Sequence, residues 1–270
     1  TGAVCAVGTF TNAGNNPNFG FTNTSGIILS TGCVANSVGN CGAISTTSDN
    51  GTGGNSILGA NTLDAATYTF QFTPSTNVIV FRYVFASEEY PEYAPPNSSS
   101  YNDVFGFFVS GPNPGGGNYA NQNIARLPIS GNPIVSINNV NPVTNNQFYR
   151  NNANCAPLTN FGLDGATTAL YTLPISVVPC STYTMTISIA DQGDRAYDSA
   201  VLLEANSFGG DPLNPTITAG VLSNNTTYEF CPSDIVFTFD RTGSAGTAIN
   251  IPITLGGSAT NNSDYTLSSN

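Results

Sequence analysis

Segments in which apolar and polar residues alternate recur from one end of this sequence to the other. Residues 68–72 place a large apolar side chain at every second position, the period-2 pattern of a half-buried strand. Residues 78–85 are β-branched or aromatic almost throughout, which is typical of a central strand. The pattern continues in residues 104–109, 134–137, 183–189 and 200–205. Glycine- and proline-rich stretches such as residues 111–117 separate these segments, so we predict an all-β fold, a jelly-roll-like antiparallel β-sandwich.

A break in the alternation near residue 210 predicts a domain boundary. Residues 209–215 combine glycine with proline, and proline removes the backbone donor that a strand needs for its ladder. The alternation then restarts in residues 235–239 and 249–255. We expect one sandwich over residues 1–210 and the beginning of a second over residues 211–270, because so short a tail is small for an independent sandwich. The chain is thus expected to be the first part of a longer, multidomain protein.

The charge composition excludes several classes of partner. Sixteen acidic residues stand against five basic ones, all of them arginine, and the formal net charge is −11. Without a basic stripe to neutralise phosphates, no nucleic-acid partner is expected, and anionic membrane surfaces would repel the chain. No apolar run of about 18 residues occurs, so no direct membrane insertion is expected. No basic and apolar leader begins the chain, so a secreted protein would have lost its signal peptide before Thr1.

Six cysteines predict an oxidising compartment. They are Cys5, Cys33, Cys41, Cys155, Cys180 and Cys231. Their even number, without a Cys-x-x-Cys pair or any histidine, disfavours zinc and favours three disulfides. Cys33 with Cys41 is the pair expected first, because nearby glycines would let the short loop close, and Cys155 with Cys180 is the second. The other pairings remain open at this stage, as do free buried thiols.

The residue types that are missing narrow the possible chemistry to carboxylates. The chain has no histidine and no lysine, which excludes Ser-His-Asp and Cys-His nucleophiles and lysine Schiff bases. What remains is a glycosidase-like carboxylate pair or a carboxylate-ligated metal. A glycosidase would also need aromatic platforms, and in the absence of tryptophan the exposed tyrosines expected to stack on a sugar are Tyr90, Tyr93, Tyr101 and Tyr119. We predict no enzymatic activity and keep a carboxylate-based carbohydrate-active enzyme as an alternative.

Acidic residues gather where the predicted strands end or begin. They are Glu88, Glu89 and Glu92 after one strand, Asp103 before another, and Asp191, Asp194 and Asp198 after a third. Like charges that converge at one rim of a sandwich repel, and Ca²⁺, which takes about 6–8 oxygen ligands, removes that repulsion. We therefore predict structural Ca²⁺ with Glu88, Glu89, Asp103, Asp191, Asp194 and Asp198 as its ligands. Turn chemistry and salt bridges to Arg82 or Arg195 are the ordinary alternatives for these acids.

Nine stretches, in order along the chain, resemble a known domain family. They are residues 26–32 (GIILSTG), 85–93 (FASEEYPEY), 102–112 (NDVFGFFVSGP), 123–125, 135–141, 164–165, 178–183, 189–194 and 197–205. Together they look like the choice-of-anchor L domain over roughly residues 10–208. The tail, at residues 236–241 and 257–266, is similar to a Calx-β-type repeat. The second, partial sandwich is therefore expected to be immunoglobulin-like or Calx-β-like.

The resemblance implies a secreted bacterial surface protein, of a kind that often leaves the cell by type IX secretion and includes gliding and biofilm adhesins. We accordingly predict a non-catalytic, calcium-stabilised module, extracellular or at the cell surface, for adhesion or structural display. Its expected partners are glycan or protein ligands, or further copies of the same protein. A subunit of an extracellular filament assembled by β-strand contacts is the alternative.

Overall fold

Antiparallel strands dominate the structure, a computed structural model that describes residues 2–3, 5–11, 19–21, 23, 25–37, 46–98, 100–154, 158 and 160–208, with the backbone of residues 213–218 and 236–241. The chain forms two units, Thr1–Gly210 and Asp211–Asn270. Strands of the first unit are β1 (Val7–Thr11), β2 (Ser25–Ser30), β3 (Thr62–Phe72), β4 (Val78–Ile79), β5 (Arg82–Ser87), β6 (Val104–Pro112), β7 (Asn118–Asn123), β8 (Tyr149–Asn151), β9 (Gly165–Thr167), β10 (Leu170–Tyr171), β11 (Ile175–Ser176), β12 (Tyr183–Gln192) and β13 (Ser199–Glu204). A 3₁₀ turn, Asn146–Phe148, precedes β8.

Two sheets pack face to face in the first unit. One has the strand order β1-β2-β13-β5-β9-β8, with β10 also paired to β5, and the other has the order β3-β12-β6-β7. Aromatic rings from facing strands fill the space between the sheets. Phe85 of β5 stacks on Phe105 of β6 with ring centroids 5.1 Å apart, and Tyr83 meets Phe107 edge-on at 5.0 Å. The prediction of an all-β, antiparallel β-sandwich is confirmed.

Strand β12 alternates between buried and partly exposed residues in its first half and is buried at nearly every residue of its second half. Along its first half Tyr183, Met185 and Ile187 are buried, while Thr184 and Thr186 are partly exposed, as the alternation predicts. From Ile187 onward every residue is buried as far as Asp191, and the register with β3 shifts between Ile189 and Asp191. Such a bulge bends a strand and redirects its side chains. The extra residue lies in β3, so Asp191 keeps the buried face of Tyr183, Met185 and Ile187 and its carboxylate lies inside the sandwich.

Three local predictions need correction. Residues 78–85 form two strands, because β4 pairs with β11 whereas β5 pairs with β13. Between them the Phe81 amide donates to the Thr172 hydroxyl at 3.0 Å, which replaces a ladder bond. Residues 134–137 were predicted as a strand and instead form isolated bridges to Arg126 and Val104. Strand β7 was missed because its mostly polar residues lie exposed or half-exposed at the edge of a sheet.

The described cysteines carry free thiols. They are Cys5, Cys33 and Cys180. No disulfide joins any two of these three, so the predicted disulfides gain no support from the described residues. Cys41 and Cys155, which belong to the two predicted pairs, lie outside the described residues, as does Cys231.

The second unit contains a two-stranded antiparallel sheet. Strand β14 (Leu213–Thr218) pairs with β15 (Val236–Arg241), with Leu213 opposite Arg241. Strand β15 contains most of the strand predicted at residues 235–239. The strand predicted at residues 249–255 lies outside the described residues. The immunoglobulin-like or Calx-β-like character of this unit remains a prediction.

A buried carboxylate cluster as a candidate metal centre

Strand pairing brings the ends of four strands together at one rim of the sandwich. Ser87, the last residue of β5, pairs with Ser199, the first residue of β13. In the facing sheet Val104, the first residue of β6, pairs with Ala190 near the end of β12. The Ser199 hydroxyl donates to Asp103 Oδ2 at 2.6 Å and so connects the two sheets at this rim. The acidic residues next to these strand ends therefore converge in space.

Six carboxylates are buried at this rim. They are Asp64, Glu88, Glu89, Asp103, Asp191 and Asp198, each no more than 3% exposed. We call these six residues the rim cluster. Burial of an ionised carboxylate costs several kcal/mol unless a partner compensates it. Arg195 supplies one positive charge through its ion pair with Asp64, so the six carboxylates carry more negative charge than this partner can balance.

Backbone amides and hydroxyls satisfy some of the carboxylate oxygens. Asp103 accepts from the Gln192 amide at 3.0 Å as well as from the Ser199 hydroxyl. The Thr46 amide donates to Glu88 Oε1 at 2.8 Å, and the Ser48 amide donates to Asp198 Oδ1 at 2.9 Å. These donors fix the carboxylates in place. They also lower the pKa of each acid that accepts from them, because they stabilise its charged form.

Four buried oxygens of the rim cluster have no hydrogen-bond partner among the described residues. They are Glu88 Oε2, Glu89 Oε2, Asp191 Oδ1 and Asp198 Oδ2. A buried polar atom without a partner costs about 1–3 kcal/mol, and more if it is charged. Unpaired buried atoms on four acids of one rim require a common explanation, either protons or a cation that the oxygens accept.

The pKa values show how strongly the rim opposes ionisation. Burial raises the pKa of Glu88 to about 7 and that of Asp198 to about 6, with their amide donors acting in the opposite direction. Burial and the neighbouring Asp103 charge raise the pKa of Glu89 to about 9 and that of Asp191 to about 10. Burial also raises the pKa of Asp103 to about 7. Without a cation, the rim must hold protons at neutral pH.

Asp64 belongs to the rim cluster but was not among the ligands predicted from the sequence. It lies in β3, accepts from the Thr52 and Asn50 amides at 2.8 and 3.1 Å, and pairs with Arg195. Its backbone has φ of 46°, in the left-handed region that few non-glycine residues occupy. An aspartate within an otherwise apolar run, Leu63 to Ala66, is the sequence signal that could have identified it.

The structure separates the predicted ligands into two groups. Five of them lie in the rim cluster: Glu88, Glu89, Asp103, Asp191 and Asp198. The sixth, Asp194, is partly exposed, and its Oδ1 accepts from the Ala196 amide at 3.0 Å in a local turn. In their present arrangement no three acidic side chains of the described residues are gathered closely enough to hold a metal ion. A bound ion would therefore need the carboxylates to draw closer together.

Comparison with known proteins identifies the first unit. A family model, described as the choice-of-anchor L domain, matches residues 1–209. The chain belongs to this family. Choice-of-anchor domains are a non-enzymatic, surface-associated type, so this choice-of-anchor L domain is a secreted or cell-surface module. No curated protein and no solved structure matched the chain. Among the described residues, no helix is long and apolar enough to cross a membrane.

Three tyrosines of the choice-of-anchor L domain lie together next to the rim. Tyr93 packs edge-on against Tyr101 with centroids 5.5 Å apart and lies 4.9 Å from the Tyr197 ring. All three are partly exposed, and the hydroxyls of Tyr93 and Tyr197 are 3.5 Å apart. We call them the tyrosine patch. Tyr90 was expected to be exposed but is fully buried, and its hydroxyl donates to the Val140 carbonyl at 2.5 Å.

A cavity of about 430 Å³ lies between the sheets of the choice-of-anchor L domain. Its walls are mostly apolar and include Ile27, Phe81 and Leu203. Glu204 is the one acid in its lining, and it forms an ion pair with Arg82 at 3.3 Å. A glycosidase needs two carboxyl groups that flank its substrate. This cavity therefore lacks the carboxylate pair that the catalytic alternative requires.

Proposed function

We propose that this choice-of-anchor L domain is a calcium-stabilised, non-catalytic module for adhesion or structural display at a bacterial cell surface. Calcium would neutralise the rim cluster and fix the loops around it, and the neighbouring surface would contact a glycan or protein ligand. Export by type IX secretion and a Calx-β-like repeat in the second unit belong to the same proposal.

One observation carries the calcium part of the proposal: buried carboxylates at one rim with partnerless oxygens. Calcium takes about 6–8 oxygen ligands from carboxylates, carbonyls and water, and tolerates irregular geometry. Glu88, Glu89, Asp191 and Asp198 each have an unused oxygen to offer. A divalent cation would offset the burial and the mutual repulsion that raise their pKa values, and it suits a protein in a calcium-containing extracellular medium.

Direct binding tests the calcium part. Equilibrium dialysis of the intact chain against calcium at pH 7.5 should find at least one bound ion, and Asp191→Asn should lose it, because Asp191 is buried among Asp103, Asp198 and Asp64. Glu92→Gln is the matched control, since Glu92 belongs to the same acidic stretch as Glu88 but is exposed. Absence of bound calcium in the unmodified chain, or equal loss in both variants, would refute the assignment.

The tyrosine patch supports a ligand surface next to the proposed calcium site. Partly exposed aromatic rings stack on sugar faces, and Tyr hydroxyls add hydrogen bonds. The local turn of Asp194 leads directly into Tyr197, so a calcium-ordered rim would also order the patch. A glycan is therefore the ligand class that we favour over protein.

Glycan binding is tested on an array of bacterial and host polysaccharides with calcium present. Tyr93→Ala should abolish binding, since Tyr93 is the ring that contacts both other tyrosines. Tyr68→Ala is the control, because Tyr68 is 40% exposed but belongs to β3. Binding that survives Tyr93→Ala, or no glycan binding at all, would refute the glycan ligand without affecting the calcium proposal.

The filament alternative has one supporting feature. Strand β3 is an edge strand, and the bridge from Gly53 to Leu63 and the bond from Ala65 to Gly53 cover the beginning of it. Among the described residues, no strand pairs with residues 68–72 on the side away from β12. Exposed strand edges can pair with another chain. Sedimentation of the intact chain at high concentration distinguishes a filament subunit from a monomeric surface module, because a strictly monomeric profile would exclude self-assembly.

A further inference from the structure

We propose that Cys5 and Cys33 form a disulfide that joins the N-terminal segment to the chain leaving β2, next to the rim cluster. This cross-link is independent of the proposed calcium and glycan binding. It also differs from the pairing of Cys33 with Cys41 that the sequence favoured.

The backbone brings the two cysteines side by side. Strands β1 and β2 pair with Val7 opposite Leu29, and this register would place Thr31 opposite Cys5. The Ser30 amide donates to the Ala6 carbonyl at 2.9 Å, and the Val34 amide donates to the Cys5 carbonyl at 2.8 Å. The second bond departs from that register and brings Cys33, the residue before Val34, beside Cys5. A disulfide joins residues whose Cα atoms lie about 4.4–6.8 Å apart, a range that adjacent backbones can meet.

The side chains also meet. The pKa of the Cys5 thiol is raised, and a hydrogen bond with the Cys33 thiol is the largest cause of this shift. Cys5 is exposed and Cys33 is partly exposed, so an oxidant can reach them. Cys180, the other described cysteine, is exposed in a distant loop whose amide donates to the Pro74 carbonyl. Proximity therefore favours Cys5 with Cys33 among the described thiols.

The chemistry needs an external disulfide as the oxidant. One thiolate attacks a sulfur of that disulfide, forms a mixed disulfide and releases one reduced thiol. The second thiolate then attacks the cysteine sulfur of the mixed disulfide and releases the other reduced thiol. The two cysteines lose two electrons and two protons, and the external disulfide gains them. The oxidising compartment of a secreted protein supplies such disulfides.

The proposed bond lies one layer of residues away from the rim cluster. Asn50 Oδ1 is 4.0 Å from Cys5 Sγ, its side-chain amide donates to the Thr31 carbonyl at 2.5 Å, and its backbone amide donates to Asp64 at 3.1 Å. Gly32, which precedes Cys33, touches the Asp198 carboxylate. The cross-link would therefore hold β1, an edge strand, and one wall of the rim in a fixed position.

Peptide mapping tests the proposal on the intact chain. The protein is equilibrated in a glutathione buffer that contains oxidised glutathione, free thiols are alkylated, and the chain is digested without reduction. Mass spectrometry should find a peptide that contains Cys5 linked to a peptide that contains Cys33. The Cys180→Ser variant should give the same linked peptide. Cys33 linked to Cys41 or to any other cysteine, or alkylation of both Cys5 and Cys33, would overturn the proposal.

Thermal unfolding provides the second measurement. Reduction should lower the Tm of the oxidised protein by roughly 5–15 °C, as expected for a loop closed between residues 5 and 33 in a domain of this size. In Cys5→Ser this part of the reduction-dependent shift should disappear, whereas in Cys180→Ser it should remain. An unchanged shift in Cys5→Ser would contradict a cross-link at this position even if that variant is less stable than the unmodified chain.

Discussion

Gly32 lies directly against the carboxylate of Asp198, where any other residue would place its Cβ atom. The chain that leaves β2 thus forms a wall of the rim cluster, and only a residue without a side chain fits there. Asp198 in turn accepts from the Ser48 amide at 2.9 Å and cannot retreat without breaking that bond. The buried position of the Asp198 carboxylate therefore requires a glycine at residue 32.

Gly32→Ala should lower the free energy of unfolding by about 1–3 kcal/mol, because an added methyl group must displace a packed, hydrogen-bonded carboxylate. Gly53→Ala is the matched control, since a Cβ atom at Gly53 would meet nothing within 4 Å. Its effect should stay within about 0.5 kcal/mol. Urea unfolding of both variants measures the difference, and equal effects would show that the Gly32 contact with Asp198 is not constraining.

The stability of the calcium-free protein should fall as pH rises. The folded pKa values reach about 7 for Glu88 and about 9 for Glu89, whereas unfolded carboxylates titrate near pH 4. Between about pH 4.5 and 9 the folded state therefore holds protons that the unfolded state has lost, and each unit of pH lowers the free energy of unfolding. Urea midpoints in metal-free buffer at pH 5, 7 and 8.5 measure this trend.

Saturating calcium should remove or reverse that pH dependence, because the cation replaces the protons on the rim. A stability of the metal-free protein that is constant or rises over the same interval would contradict the buried, uncompensated charge of the cluster.

Arg195 and Asp64 should be energetically coupled. Their ion pair places a partly exposed guanidinium on a fully buried carboxylate, so loss of Arg195 leaves that charge uncompensated. A double-mutant cycle with Arg195→Gln and Asp64→Asn should give a coupling energy of about 1–2 kcal/mol, reduced from the value for a fully buried pair because solvent screens the arginine. Exposed Asp49, 3.3 Å from Arg195, is the control partner and should couple by less than about 0.5 kcal/mol.

The aromatic contacts between the sheets should dominate the stability of the sandwich. Phe85→Ala should cost about 3–5 kcal/mol, because Phe85 is completely buried and stacks on Phe105 of the other sheet. Tyr68→Ala removes an aromatic residue that is 40% exposed and should cost less than about 1 kcal/mol. Chemical denaturation compares the two, and a similar cost for both would contradict the packing of the two sheets on Phe85.

The strands that the sequence predicts well are those whose pattern has one simple cause. In β12 the alternation of Tyr183, Met185 and Ile187 with threonines follows from one face packed on the core and one facing solvent. In β5, apolar residues on both faces mark a strand at the centre of a sheet. Edge strands such as β7 lack a buried face of this kind, so their residues resemble those of a loop.

The acidic rim was predicted in outline because its residues lie next to strong strands in the sequence. Glu88 and Asp198 lie close together because β5 pairs with β13. The alternation of apolar and polar residues does not specify which strands pair. Asp64 contributes from within β3, where an acid looks like an interruption and its burial cannot be read from local sequence. The contact of Cys5 with Cys33 depends on the pairing of β1 with β2, which is equally invisible in the spacing of the cysteines.

Thermal unfolding of the purified, non-reduced chain at pH 7.5, with calcium and after chelation, tests the central claim most directly. Calcium at about 100 times its Kd should stabilise the folded state by about 2.7 kcal/mol, which corresponds to a rise in Tm of roughly 5–11 °C for a domain of this size. Asp191→Asn should abolish the rise, and Glu92→Gln should retain it. An identical Tm in the two conditions would contradict the account and would mean that protons alone neutralise the rim cluster.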